Sequence, residues 1–248
     1  MTPSLKAADT AAILLDIEGT ITPIAFVHEM LFPYARERVR QFLSSHHNST
    51  EVMADIATLH REHHADLLQN LEPPSLFEQT REEEIDSITA YVHWLIDRDR
   101  KSTGLKSLQG KIWKEGYADG TLKASLFDDV APALRRWQRA NLRIGIFSSG
   151  SVLAQQLLLA HTNAGDLTDL IDAYFDTTTG PKTAVESYRN IAAALGIPAR
   201  SILFVSDVVG ELDAAGAAEM QTLLSVRPGN QPPPAQQNHQ IVEDFDGL

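Results

Sequence analysis

The stretch AAILLDIEGTIT (residues 11–22) closes an apolar run with a carboxylate, Asp16, and sets a second, Glu18, two residues on, ahead of a Gly-Thr turn. A short apolar run bounded by turn formers reads as a strand, Ala11 to Leu15, of the kind covered on both sheet faces. Two like charges just beyond it repel one another. Their reason has to be sought at the other strand ends.

Those strands come late in the chain. LRIGIFS (142–148), AYF (173–175), SILFVS (201–206) and MQTLLSV (220–226) read as short buried strands, with helical segments near 151–160, 183–195 and 210–218 between them. Strands alternating with helices predict an α/β fold with a doubly wound parallel sheet. From Phe26 to about Leu122 the texture is instead Ala, Leu, Glu, Arg and His in long amphipathic stretches, interrupted by EPPSL (72–76), where proline cannot continue a helix. Residues 1–20 and 125–248 are therefore expected to form the core, and 21–124 an inserted α-helical cap of antiparallel helices. The tail RPGNQPPPAQQNHQIVEDF (227–245) reads as irregular surface chain.

Composition excludes several chemistries. The 248 residues contain no cysteine, which removes disulfides, thiol catalysis and cysteine-ligated metals and fits a reducing, cytoplasmic setting. A formal charge of −12 argues against nucleic acid, whose binding rests on clustered Lys and Arg. No window reaches the ~20 apolar residues of a membrane span, and the apolar part of MTPSLKAADTAAILLD is short for a signal peptide. Gly-x-Ser-x-Gly, the dinucleotide glycine fingerprint and the Walker phosphate loop are all missing.

In an open parallel sheet the ligand sits beyond the carboxyl ends of the strands. There the sequence places Asp16 and Glu18, Ser148 and Ser149, Lys182, and Asp207. Any one of them has an ordinary explanation as a loop residue or helix cap. Together they make a coherent set. Asp16 and Asp207 cannot sit close together ionised without a cation, and hard oxygen donors without His or Cys select Mg²⁺. Lys182 and Ser148 would then hold a phosphoryl group while one carboxylate attacks phosphorus and Glu18 serves as acid and later base.

DIEGT after a hydrophobic strand, followed in order by FSS, GPK and SD, resembles the haloacid dehalogenase (HAD) phosphatase superfamily. Most of its members carry Asp where this chain has Glu18. That departure, with DIEGTITPIAFVHEMLFPYARERV, LQGKIWKEGYADG, FSSGS, FDTTTGPKT and SDVVGELDAA, is similar to the enolase-phosphatase family of methionine salvage, from about Ile13 to Val226. The resemblance implies enolisation and dephosphorylation of a small phosphorylated diketone, with one Mg²⁺ per chain, by a monomer. It also implies Asp16 as nucleophile and metal ligand, and Asp207 as the second carboxylate ligand. Glu18 would sit in the metal site through its backbone carbonyl, its side chain being left for proton transfer. Ser148, Ser149 and Lys182 would bind substrate, and Glu211 would lie outside the metal's own ligands. A general capped phosphatase acting on other small esters, and a binding module that has kept the fold, are the competing classes.

Phe26, Trp113 and Tyr117 are open between a pocket for the thioether tail and core packing, and His28 between a polar contact and packing. His60, His63 and His64 read as a solvated helix face, as does the run Glu82, Glu83 and Glu84.

Overall fold

The computed structural model describes residues 10–248; residues 1–9, part of the stretch weighed above as a leader, lie outside them. The described residues group into two compact units. One runs to Val27 and resumes over Lys123–Leu248, and the other is His28–Leu122.

The first unit is built on a six-stranded sheet: β1 (Ala12–Leu15), β2 (Arg143–Phe147), β3 (Ala173–Phe175), β4 (Ile202–Ser206), β5 (Gln221–Ser225) and β6 (Gln240–Val242). The order is β3-β2-β1-β4-β5-β6 and every neighbouring pair is parallel, so the predicted fold class stands. β1 lies between β2 and β4, with Leu14 opposite Gly145 on one side and Phe204 on the other, and all four of its residues are buried. This is why the run reads as continuously apolar rather than alternating. Four helices connect the strands: α5 (Val130–Arg139), α6 (Val152–Ala160), α7 (Val185–Leu195) and α8 (Val209–Ala217). Ala12, Leu14, Phe204, Tyr188, Ile191 and Leu212 form one continuous core in which α7 and α8 cover a sheet face. Each large side chain buried there contributes roughly 1.5–3 kcal/mol.

The expectation of an irregular surface tail is corrected. Residues 240–242 pair with β5 as the sixth strand, Phe245 is fully buried, and its ring lies tilted at 49° against Trp137 with centroids 5.4 Å apart. The Leu248 carbonyl accepts hydrogen bonds from Arg136 Nε (3.0 Å) and Trp137 Nε1 (3.1 Å). A three-residue strand among prolines and glutamines has no local signal; the unpaired edge of β5 supplies its partner.

The second unit is helical: α1 (Phe32–His46), preceded by a π-helical turn at Phe26–Leu31, then α2 (Thr50–Leu68), α3 (Arg81–Ile96) and α4 (Thr103–Ala118). α1 packs on α3 and α4, and α2 on α4. Three starts are set by side-chain caps: Ser49 accepts from Val52 N, Thr80 from Glu83 N and Ser102 from Leu105 N. Glu82, Glu83 and Glu84 occupy the first turn of α3, where negative charge suits the helix dipole. Glu84 does more than face water, since its Oε2 lies 2.7 Å from His47 Nε2. His63 is likewise no solvated residue: it is buried, and its Nε2–H donates to the Pro74 carbonyl at 2.8 Å because the loop after α2 folds back over it. Trp113 and Tyr117 are core residues of this unit, with Trp113 Nε1 donating to the Leu31 carbonyl at 2.9 Å. Among the described residues no helix is long and apolar enough to cross a membrane.

Candidate active site

Parallel pairing brings the carboxyl ends of β1, β2 and β4 to one edge, and the predicted residues gather along it. Asp16 follows β1 and extends its ladder through Asp16 N to the Val205 carbonyl (3.0 Å); Ser148 follows β2 and extends that strand through Ser148 N to the Phe175 carbonyl (3.2 Å). Asp207 follows β4, and Lys182 comes from the loop after β3. Glu211, in the first turn of α8, is turned toward the same place.

Lys182 is the centre of the arrangement. Its side chain is 7% exposed, and Nζ lies 2.6 Å from Asp16 Oδ1 and 2.7 Å from Glu211 Oε2. The Ser206 hydroxyl donates to Glu211 Oε2 at 2.9 Å, stands 3.5 Å from Asp16 Oδ2, and accepts from Val208 N at 3.1 Å. Lys182 Nζ also stands 5.8 Å from the centroid of the Phe147 ring. Burial works against the ammonium, but the Asp16 and Glu211 carboxylates reverse that and hold its pKa above the usual lysine value.

The opposite sign of charge is in excess. Burial, followed by the charges of Asp16 and Glu211, pushes Asp207 up to about 7 against the opposing pull of Lys182. Glu211 is raised by burial and by Asp16, with Lys182 again opposing. Three carboxylates share one ammonium, so the site is short of positive charge. That deficit, met by oxygen donors alone, fits a hard divalent cation. Among the described residues no three of His, Cys, Asp and Glu form a metal group by themselves. Carbonyls, water and a ligand's own oxygens would complete the shell, as Mg²⁺ prefers.

The turn after Asp16 lets Asp207 come close to it. Gly19 has φ +68°, and a Cβ there would come within 2.4 Å of Asp207 Oδ2. Only glycine combines that backbone with that approach. The turn is closed by Gly19 N donating to the Thr22 carbonyl (2.8 Å) and by Ile21 N donating to the Ile17 carbonyl (2.9 Å). It is also held from outside by one short segment. Ser225 Oγ (3.1 Å) and Asn230 Nδ2 (2.9 Å) donate to the Gly19 carbonyl, and Arg227 Nε (3.1 Å) to that of Thr20. Arg227 is itself fixed by Asp129 at 2.8 Å and by the Glu243 carbonyl at 2.9 Å.

Asp16, Lys182 and Asp207 are thus brought together with Glu211. Glu18 is partly exposed, two residues beyond Asp16, and its backbone bridges to Thr22. Ser148 is buried at the end of β2, its Oγ accepting from Gly150 N at 3.1 Å; Ser149 is partly exposed one residue further on. Sequence reasoning missed Ser206, whose signal was a hydroxyl ending an apolar strand just before Asp207. It also missed Gln155, which braces the Ser148–Gly150 turn by donating at 2.8 Å to both the Gly150 and Phe175 carbonyls. Arg227 and Asn230 went unnoticed within the Pro/Gln-rich tail.

Comparison with known proteins agrees with this fold. The family model for haloacid dehalogenase-like hydrolases matches residues 10–219. Enolase-phosphatase E1 of Synechococcus elongatus (strain ATCC 33912 / PCC 7942 / FACHB-805) is 53% identical over 218 residues, covering 88% of this chain and 89% of that protein. Enolase-phosphatase E1 of Sorangium cellulosum (strain So ce56) is 44% identical over 244 residues, covering 98% and 99%. Among solved structures, the UTR4 protein of Saccharomyces cerevisiae superposes with a TM-score of 0.78 at 35% identity, over 96% of this chain and all (100%) of that one. CbbY of Rhodobacter sphaeroides in complex with phosphate, at TM-score 0.58 and 16% identity over 95% of each chain, shares the fold.

Proposed function

The chain belongs to the haloacid dehalogenase-like hydrolases and, within them, to the enolase-phosphatases, and we propose that Asp16 and Glu18 divide its chemistry between a nucleophile and an acid/base. The reaction is that of methionine salvage: 2,3-diketo-5-methylthiopentyl-1-phosphate is enolised and then dephosphorylated to acireductone. The observation that carries the assignment of roles is the buried Lys182 ammonium held 2.6 Å from Asp16 and 2.7 Å from Glu211 at the carboxyl edge of the sheet.

Enolisation comes first. The Glu18 carboxylate takes a proton from the carbon bearing the phosphate ester, and the electron pair moves onto the neighbouring carbonyl oxygen. Ser148, Ser149 and Lys182 orient the phosphate: the Ser148 oxygen already accepts from Gly150 N, so its own proton is available to a phosphate oxygen. Asp16 then attacks phosphorus in line, the P–O bond to the enol breaks, and Glu18 returns its proton to the departing oxygen. In the last step Glu18 deprotonates a water that attacks the aspartyl phosphate, releasing phosphate and restoring Asp16. The proton Glu18 then holds passes to the enolate oxygen left by the first step, which completes acireductone and returns Glu18 to its carboxylate.

One Mg²⁺, held by Asp16, Asp207 and the Glu18 carbonyl, would neutralise phosphoryl oxygens and the charge of the enolate. The carboxylate excess around Lys182 and the close approach of Asp207 to Gly19 in the turn after Asp16 support such an ion. The proposal includes a cap role for residues 21–124, inserted in a core of 1–20 and 125–248, its purpose being control of water during both half-reactions. It also takes the enzyme as a cytoplasmic monomer acting on a small molecule.

The test is to mix the Mg²⁺-treated protein anaerobically with the diketo phosphate and follow enol absorbance and free phosphate together. Enol appearing before or with phosphate, and chelation stopping both, is expected. Phosphate without enol, or faster turnover of sugar phosphates than of the diketone, would leave a general phosphatase instead.

A further inference from the structure

Asn230 sits in the loop after β5, and its side chain faces two ways. On one side Nδ2 donates to the Gly19 carbonyl at 2.9 Å and lies 3.4 Å from the Ser225 carbonyl. Both partners are acceptors, so the orientation of the carboxamide is fixed: nitrogen toward the loop carbonyls, oxygen away from them. That oxygen, Oδ1, is buried without a hydrogen-bond partner. A buried acceptor left unpaired is costly and rare.

Its position accounts for it. A Cβ placed on Gly19 would lie 2.4 Å from Asp207 Oδ2 and 3.0 Å from Asn230 Oδ1. The two oxygens therefore converge on one point of the Gly19 backbone, and since an ionised carboxylate and a carboxamide oxygen are both acceptors, neither satisfies the other. Gly19 lets both side chains come this close to the turn: Asp207 brings a carboxylate and Asn230 a neutral acceptor.

We propose that Asn230 is a positioning residue for the cation beside Asp207: its N–H groups fix the Gly19 carbonyl, and its Oδ1 accepts a hydrogen bond from the ion's hydration water. This rests on the Mg²⁺ reading given above. Partners of this type tune a metal site by roughly 10–100-fold in affinity without touching the ion. A carboxamide does so without adding a fourth negative charge to a place that already has three carboxylates.

The experiment is Mg²⁺ titration by calorimetry of the full, substrate-free chain in wild type, Asn230→Ala and Asn230→Asp, with metal-free thermal melting as the check on folding. Both substitutions remove the N–H bond to Gly19, but only Asn230→Asp keeps an oxygen at the site. Asn230→Ala is expected to weaken Mg²⁺ binding about tenfold or more, and Asn230→Asp to bind as tightly as wild type or tighter. Equal weakening in both variants, or wild-type affinity in Asn230→Ala, would overturn the proposal and leave only a structural bond to the loop. If Asn230→Ala does not fold, Asn230→Ser replaces it, its hydroxyl being too short to take the place of Oδ1. A wild type that binds no Mg²⁺ refutes the metal reading itself, an outcome distinct from failure at Asn230.

Discussion

Lys182 Nζ and Asp16 Oδ1 lie 2.6 Å apart although 166 positions separate them in the chain. The pair joins the loop after an outer strand to the end of the central one, and both side chains are 7% exposed. Breaking a buried pair by removing one partner leaves the other charge uncompensated. Lys182→Met should therefore lose about 3–5 kcal/mol of stability, read from urea unfolding, along with phosphate release. A variant that unfolds at the wild-type midpoint would show that Asp16 and Glu211 find other compensation.

Glu18 has three separable duties in the proposed reaction, and an ester with a good leaving group and no ketone needs only one of them. With 4-nitrophenyl phosphate the departing oxygen requires no acid, whereas breakdown of the aspartyl phosphate still requires a base. Glu18→Gln is expected to give a burst of nitrophenolate stoichiometric with enzyme, followed by slow turnover. Steady release with no burst would remove Glu18 from the second step.

Gly19→Ala sets a side chain against Asp207 Oδ2 at 2.4 Å on a backbone with φ +68°. The left-handed conformation alone costs about 1–2 kcal/mol with a Cβ, and Asp207 would have to move. Loss of that order in thermal stability, with a larger fall in Mg²⁺ affinity, is the expected pair of results. Unchanged Mg²⁺ affinity would place the ion away from this turn.

The central strand and the paired acids were legible because their cause is local. A run of apolar residues ending in Asp needs no distant partner to be recognised, and SILFVSD repeats the pattern at β4. Lys182 was legible through its order in the motif series. Ser206, Asn230 and Arg227 were not, since what they hold lies elsewhere: the Gly19 carbonyl is 211 positions from Asn230. β6 escaped for the same reason, being a strand by virtue of the edge it joins. His63 was misplaced on a wet face because the Pro74 carbonyl that covers it comes from a loop with no periodicity.

The tail's true position has its own consequence. Phe245 is fully buried, its ring centroid 4.3 Å from the Arg227 guanidinium, and its N–H donates to Asp129 at 2.7 Å. Phe245→Ala should cost about 3–5 kcal/mol and, through Arg227 and the Thr20 carbonyl, loosen the turn after Asp16. Urea unfolding combined with amide exchange at residues 17–22 checks both effects. A loss below 1 kcal/mol would return residues 227–248 to the status of surface chain.

The most direct measurement is chemical trapping of the phosphorylated residue. Protein in the presence of Mg²⁺, quenched during turnover and treated with borohydride, should yield a peptide in which Asp16 has been reduced to its alcohol, identified by mass spectrometry, and Asp16→Asn should yield none. Reduction at another carboxylate, or phosphate release by Asp16→Asn at the wild-type rate, would contradict Asp16 as the group that carries the phosphoryl.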